Sequence, residues 1–490
     1  MNVAIIRYIL GYILKIEGLF LILPSVVAAI YHEKEGFFYL GVGVFCIIFG
    51  ILLSLKKPSD SVFYLKEGCV ATALSWIFLS IFGAIPFFLT GEIPSYADAL
   101  FETVSGFTTT GASILSDVEA LSHCSLFWRS FTHWIGGMGV LVFLLAIVPM
   151  TGGSHMNLMR AESPGPSVGK LVPKVRYTAR ILYLIYLGLT ILEFVLLLCG
   201  GMPVFDSMTT SFGTAGTGGF GIKNDSIAGY SSYIQWVVTV FMILFGINFN
   251  AYYLIIFRNV KKALCMEEVR CYLIIILVST GIIFAQLLRT GINTFKAITD
   301  AAFQVSSIIT TTGFSTVDFN IWPQTSKTIL VMLMFVGACA GSTGGGIKVS
   351  RFIILVKSLV KELNSYIHPK SISKVKIEGK VVEHEIVRAT NVYIITFVII
   401  FTISVLAVSI EGKDLVTNFT AVAATINNIG PGLELVGPTQ NFGSFTVFSK
   451  FILMFDMLAG RLELFPLLIL FHPTLWKDII IQQKRRIRRS

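Results

Sequence analysis

Asp98-Ala-Leu-Phe-Glu-Thr-Val-Ser-Gly-Phe-Thr-Thr-Thr-Gly111 is the stretch on which the fold of this chain turns. Its apolar part, about 13 residues, is too short to cross about 30 Å of hydrocarbon as a helix, yet it lies between stretches that are long enough. It runs into a turn of Thr and Gly, residues that end a helix. The pattern returns three times without gaps: Asp206 through Thr217-Gly218-Gly219, Asp300 through Thr310-Thr311-Thr312-Gly313, and Thr417 through Asn427-Asn428-Ile429-Gly430. The closing glycines are 108, 94 and 117 residues apart.

A re-entrant helix that ends in irregular backbone cannot face lipid, because every unpaired N–H or C=O there costs several kcal/mol. The four turns are therefore expected to line a polar cavity. Set around one axis, they offer rings of carbonyl and threonine oxygens that can replace the hydration shell of a monovalent cation. The residues expected in that ring are Thr108, Thr109, Thr110 and Gly111; Thr217, Gly218 and Gly219; Thr310, Thr311, Thr312 and Gly313; and Asn427, Asn428, Ile429 and Gly430. Glycine suits the place because a backbone that turns successive carbonyls inward takes conformations that a Cβ opposes. Each short helix aims the negative end of its dipole at the cavity. The residue opening each copy, Asp98, Asp206, Asp300 or Thr417, is expected at the N-terminal end of its helix, where it reads as a cap rather than an ion ligand. Ser95-Tyr-Ala-Asp98 fits a capping box.

Outward from the turns, ten stretches are long and apolar enough to span: about 5–30, 37–55, 67–90, 126–150, 178–200, 232–257, 270–289, 327–361 with an interruption, 386–410 and 446–472. The first begins close to Met1, is too long for a signal peptide and is expected to stay in the mature chain. Four copies of span, short helix, turn and span account for eight of the ten. The expected architecture is an all-α polytopic membrane protein: ten transmembrane helices and four re-entrant pore helices in four pseudo-symmetric membrane-pore-membrane repeats. Two extra spans occupy 1–60, and the repeats occupy 61–155, 156–262, 263–365 and 366–490.

Composition agrees. Of 490 residues, 54% are hydrophobic and only 13% charged, against about a quarter charged in a soluble chain. Forty Phe at that charge density also exclude disorder. The net charge of +10 would suggest nucleic acid on a soluble protein. Here it is polarised instead: one set of alternate loops and the tail hold 27 Lys and Arg, the opposite set seven. That places both termini in the cytoplasm. With acidic residues counted, the inner side carries +17 and the outer side −7, a vestibule that concentrates cations. Lys484-Arg-Arg-Ile-Arg-Arg489 reads as a juxtamembrane cluster for anionic lipid, not a nucleic-acid patch. The seven Cys, at 46, 69, 124, 199, 265, 271 and 339, form no CxxC pair and read as packing residues.

The motifs Thr103-Val-Ser-Gly-Phe-Thr-Thr-Thr-Gly-Ala-Ser113, Thr310-Thr-Thr-Gly-Phe-Ser315, Gly337-Ala-Cys-Ala-Gly-Ser-Thr-Gly-Gly-Gly-Ile-Lys348 and Asn427-Asn-Ile-Gly-Pro-Gly432 resemble the Trk/Ktr/HKT superfamily of potassium transporters over roughly residues 67–480. The two spans before the repeats make the chain more similar to the TrkH branch than to KtrB. The resemblance implies potassium as the transported ion, since Gly111, Gly219, Gly313 and Gly430 are all glycine where a first-repeat serine goes with sodium in the family. It also implies a homodimer in a bacterial inner membrane and a cytosolic nucleotide-binding ring of the TrkA type on the basic inner face. The short cytoplasmic loops hold no nucleotide site of their own.

Two further features lie inside spans. Cys339-Ala-Gly-Ser-Thr-Gly-Gly-Gly346 cannot hold a helix. As a phosphate loop it fails, because Lys348 follows Ile347 and no strand precedes it. A broken helix that projects a flexible loop into the pore fits better, and the family has an intramembrane gate loop at this place. Gly341, Gly344, Gly345, Gly346 and Lys348 are its expected residues. Arg461 lies in the last span and must face protein or water. One reading pairs it with Asp456 or Glu463; the other sets it in the pore against the loop, matching an arginine of the family. Glu17 and Glu193 could lie near helix ends or against other helices, and His133 could be a proton site or a packing histidine.

A rival function is a cation-coupled secondary carrier for another ion or small solute, since unwound helices also build carrier sites. Four like turns on one side favour a single ion pathway. An intramembrane enzyme is disfavoured: His384-Glu-Ile-Val-Arg388 lacks the second His of HExxH. Channel-like flow and proton- or sodium-coupled uptake are equally compatible with these residues.

Overall fold

The computed structural model describes residues 1–58, 64–139, 175–369, 374–475 and 477. The end of the expected 126–150 span, most of the 160–180 loop and the basic run 484–489 lie outside the described residues. What is described is almost wholly helical; its only strands pair Lys376–Ile377 with Lys380–Val381 in a small hairpin.

Six helices are long and apolar enough to cross a membrane: Val3–Tyr31, Gly36–Ser54, Leu65–Leu89, Ala179–Cys199, Glu267–Arg289 and His384–Ser409. Their outward faces carry bare aliphatic side chains such as Leu277, Val278, Ile399 and Ile403, as lipid contact requires. None of the remaining four expected spans is a single long helix among the described residues. His123–Met138 ends at Gly139, Ser232–Phe245 bends by 91° into Phe249–Ile256, Gln324–Val336 and Val349–Ile367 flank an irregular loop, and Val447–Arg461 stops before a kink at Glu463 and Leu464. Only the third of these breaks is visible in the sequence.

Four short helices, Tyr96–Phe107, Val204–Gly216, Thr294–Ile309 and Leu415–Ile426, sit between these elements. Each packs against the long helix before it and the broken helix after it. Each also packs against the broken helix of the preceding unit: Tyr96–Phe107 on Val447–Arg461, Val204–Gly216 on His123–Met138, Thr294–Ile309 on Ser232–Phe245, and Leu415–Ile426 on Gln324–Val336. The contacts run in chain order and return to the start, so the four units close a circle. Hydroxyl-rich helices survive at this depth because their threonines bond back to the carbonyl four residues earlier, as Thr103, Thr214, Thr299 and Thr425 do.

The helix starts match the expected caps in part. Ser95 accepts from the Asp98 N–H at 3.4 Å. Asp98 and Asp206 lie in first turns, but among the described residues the bonds their carboxylates make are with Lys450 at 2.5 Å and Tyr230 at 2.7 Å, not with helix N–H groups. In the fourth unit Asp414, not Thr417, is the cap, accepting from the Thr417 N–H at 2.8 Å. Asp300 departs from expectation: Asn293 caps its helix, which begins at Thr294, so Asp300 lies in the second turn.

Helices Val3–Phe20 and Gly36–Ser54 form a hairpin joined through glycine. A Cβ on Gly11 would come 2.7 Å from the Gly50 carbonyl oxygen, and one on Gly18 would come 2.5 Å from that of Gly43. The hairpin lies against Leu65–Leu89. That helix is 61% buried over its apolar window, whereas its counterparts Ala179–Cys199, Glu267–Arg289 and His384–Ser409 are only 28–33% buried.

Candidate functional site

The four turns share one backbone conformation. Thr109, Thr217, Thr311 and Asn428 have φ of 54–59°, and two residues on Gly111, Gly219, Gly313 and Gly430 have φ of 74–97°. The N–H between them, of Thr110, Gly218, Thr312 or Ile429, bonds the carbonyl five residues back at 2.8–2.9 Å. This is the Schellman way of ending a helix, with Thr or Asn in the left-handed position usually given to Gly. Each such residue costs roughly 1–2 kcal/mol, so the surroundings must hold it.

The turns meet in a closed ring. A Cβ on Gly111 would come 2.0 Å from the Gly218 carbonyl oxygen, on Gly219 2.0 Å from that of Thr312, on Gly313 2.1 Å from that of Ile429, and on Gly430 2.7 Å from that of Thr110. Every closing glycine thus faces a carbonyl of the next unit, and the last faces the first. Thr108, Thr110, Thr217, Thr310–Thr312 and Asn427–Ile429 are all buried. Their side chains do not all point to the axis. Thr108 donates to the Val104 carbonyl and Thr310 to that of Ser306, and the Asn427 amide takes the same place on Ala423. These three brace the helix behind the ring.

Residues 337–348 cross the helix side of the ring, called the underside below, and are tied along their length. The Cys339 N–H donates to the Gly246 carbonyl at 3.1 Å, and the Gly341 carbonyl accepts from Phe249 at 3.0 Å. Gly345 donates to Thr311 Oγ1 at 2.6 Å and Gly346 to the Asn427 carbonyl at 3.1 Å. A Cβ on Gly345 would come 2.5 Å from the Asn427 oxygen, and one on Gly344 2.8 Å from that of Thr310, so the small residues let the loop press against the turns. Lys348 donates to the Gly344 carbonyl from within the loop.

Arg461 completes this layer. It donates to the Thr343 carbonyl at 3.0 Å, to Thr109 Oγ1 at 3.3 Å, and to the carbonyls of Gly136 and Gly137, the latter at 2.7 Å. Of the carboxylates the sequence offered as partners, Glu463 pairs with Arg351 and Asp456 accepts from Ser404. The guanidinium thus joins the third unit's loop to the first unit's broken helix and turn. A cavity of about 130 Å³ opens beneath, lined by Trp76, Gly137, Gly341, Gly344, Lys348 and Arg461 among others.

Other residues are resolved by their neighbours. His133 has both ring nitrogens engaged in its neutral form, Nδ1–H donating to the Gly106 carbonyl at 2.9 Å and Nε2 accepting from Phe220 at 3.3 Å. It is a packing histidine that spans the first two units. Glu17 and Glu193 are fully buried against other helices. Cys46, Cys124 and Cys339 are buried as expected, while Cys199 and Cys265 are exposed. Glu268 has a part that spacing did not reveal. It accepts from the Ala340 N–H at 2.7 Å and from Asn248 at 3.2 Å, anchoring the leading end of the loop.

A family model described as "TrkH: Cation transport protein" matches residues 37–480. The chain is 34% identical over 98% of its length to the whole of the Trk system potassium uptake protein TrkH of Salmonella typhimurium, and likewise to that of Escherichia coli K12. It is 33% identical to the Escherichia coli potassium uptake protein TrkG, covering 97% of this chain and 99% of that one. The crystal structure of the potassium transporter TrkH from Vibrio parahaemolyticus superposes with a TM-score of 0.88 at 31% identity, covering 97% of this chain and all of that one. These relatives are transport proteins, not enzymes, and like them this chain is a multi-pass membrane protein. The chain belongs to the TrkH family of cation transport proteins.

Proposed function

We propose that this chain is the ion-conducting subunit of a potassium uptake system, in which the four turns form the selectivity filter and the loop with Arg461 forms the gate. The closed ring of glycines against carbonyls carries this reading. Left-handed residues two apart turn successive carbonyls the same way, and a ring of carbonyls can take the place of water around a monovalent cation. The four helix C-termini that lead into the ring add negative potential. In this reading the repeats occupy 61–155, 156–262, 263–365 and 366–490, each supplying one turn, and the broken helices complete ten spans.

Below the ring, Arg461 puts a fixed positive charge beside the first turn. A unit charge about 5 Å from a cation, at an effective dielectric of about 20, opposes it by about 3 kcal/mol, or roughly two decades in rate. The loop adds a steric block, and the bonds from Arg461, Thr311 and Asn427 keep it there. Opening requires those bonds to break together. The exposed hairpin Lys376–Val381, near Lys357 and Glu267, stands where a regulatory partner could pull. A nucleotide-binding ring of the TrkA type is the proposed partner, with a homodimer in a bacterial inner membrane and both termini cytoplasmic. The relatives named as potassium uptake proteins support the choice of ion.

The test is potassium and sodium uptake into vesicles containing the purified chain. Gly111→Ser is expected to lower the preference for potassium, because its Cβ meets the Gly218 carbonyl. Unaltered preference in that variant would end the filter reading.

A further inference from the structure

The first and second turns are joined through a fully buried ion pair; among the described residues the fourth–first junction has a pair too, Lys450 with Asp98 at 2.5 Å, but there Asp98 is 27% exposed. Glu102, in the first short helix, and Arg129, in the broken helix after it, meet at 2.7 Å with side chains 0% and 2% exposed. Glu102 also accepts from Ser113 at 2.9 Å and from the Ile114 N–H at 3.0 Å, both on the segment that leaves the first turn. Arg129 reaches across to the second turn. It donates to the Gly221 carbonyl at 2.9 Å and lies 3.9 Å over the ring of Phe220. The pair thus ties both outgoing segments to one rigid point.

The fourth unit shows what the same place looks like without charge. In the aligned copies the position of Glu102 is taken by Thr210, Gln304 and Ala421. Gly136 and Gly460 hold equivalent places, each against the last carbonyl of its own short helix, Phe107 or Ile426. Counting back seven residues from each sets Leu453 where Arg129 stands. Ala421 and Leu453 pack in one apolar cluster. The helix packing therefore closes without an ion pair, and a buried pair gains little over apolar side chains of similar volume. Its distinguishing property is direction, since it fixes the separation of two segments through bonds of defined length.

We propose that Glu102 and Arg129 are positioning residues for ion selectivity, holding the exits of the first two turns so that the carbonyl ring cannot contract around a smaller ion. The proposal rests on the filter reading above. The test replaces the pair with its fourth-unit counterpart, Glu102→Ala with Arg129→Leu, which leaves no buried charge unpaired. Potassium and sodium uptake are measured in vesicles at matched protein content, with Gly111→Ser alongside. The double variant is expected to accumulate and transport, with its potassium-to-sodium ratio reduced about tenfold, equivalent to about 1.4 kcal/mol. Arg129→Lys, which keeps the charge but not the fork to Gly221, is expected to fall between. If the double variant keeps the full ratio while Gly111→Ser loses it, the brace is wrong and the filter stands. If Gly111→Ser keeps the ratio, the filter reading fails and the brace falls with it. A double variant that no longer accumulates in the membrane would make the pair a folding requirement and would also overturn the proposal.

Discussion

At the level of the ring the four units are near equivalents. Each ends a short helix in the same left-handed residue, makes the same five-residue hydrogen bond, and sets its glycine on the next unit's carbonyl. On the underside they differ. The third unit sends a loop across the axis and the fourth sends Arg461, whereas the first and second contribute mainly carbonyls, those of Gly136 and Gly137 and of Phe245 and Gly246, with Thr109 Oγ1 and the Phe249 N–H beside them. A site that surrounds an ion gains from equal ligands on all sides. A barrier that must open gains from being carried by few elements, because each added tie must also be released.

The largest effects should come from breaking the equivalence of the ring. Gly219→Ser or Gly313→Ser puts a Cβ within 2.0–2.1 Å of a neighbouring carbonyl oxygen, whereas Gly430→Ser meets one at 2.7 Å. Potassium uptake at limiting potassium is expected to fall roughly a hundredfold in the first two and less in the third, on the scale of severe overpacking. Equal loss in all three would show that contact distance does not set the outcome. Next is the underside charge. Arg461→Ala removes both the repulsion and the tie to Thr343, and basal potassium flux into vesicles should rise roughly tenfold or more; unchanged flux would sink its gating role.

A smaller gain is expected from Gly345→Ala, whose Cβ would come 2.5 Å from the Asn427 oxygen and push the loop off the turns. It should raise flux without changing ion preference, and a changed preference would mean that the loop shapes the ring as well. The smallest effect belongs to Glu268→Gln. It keeps the size of the anchor but weakens its bonds to Ala340 and Asn248, by about 1 kcal/mol for a charge-assisted bond made neutral. Basal flux should rise about fivefold at most; a rise as large as that of Arg461→Ala would move the main latch to the loop's leading end.

The four turns were legible because their signal is local and repeated: a short apolar run, then Thr and Gly in register. The third break was legible for the same reason, with seven small residues in Cys339–Gly346. The break after Arg461 was not. Arg461-Leu-Glu-Leu464 is a run of ordinary helix formers, yet Glu463 and Leu464 take φ of 53° and 69°. The ion pair of Glu463 with Arg351, more than a hundred residues away, helps hold that kink, and no window of sequence contains it. Asp300 misled for a related reason. Alignment on the turn fixed its register, but the helix extends further back to the Asn293 cap than in the other copies. Glu102 and Arg129 were each readable only as polar residues in apolar surroundings, 27 positions apart, and only the fold brings them together.

The glycine-joined hairpin at the start of the chain bears on how such a protein is made. Gly11 meets Gly50 and Gly18 meets Gly43 by backbone approach, contacts that lie wholly within the first two apolar helices. Close approach of small residues is what holds helices together when lipid removes the hydrophobic drive between them, and short sequence separation makes the pairing fast. The hairpin is expected to close in the bilayer while later helices are still being synthesised. It would then present a finished wall to Leu65–Leu89, so that the first unit is assembled against a template and the other three against one another.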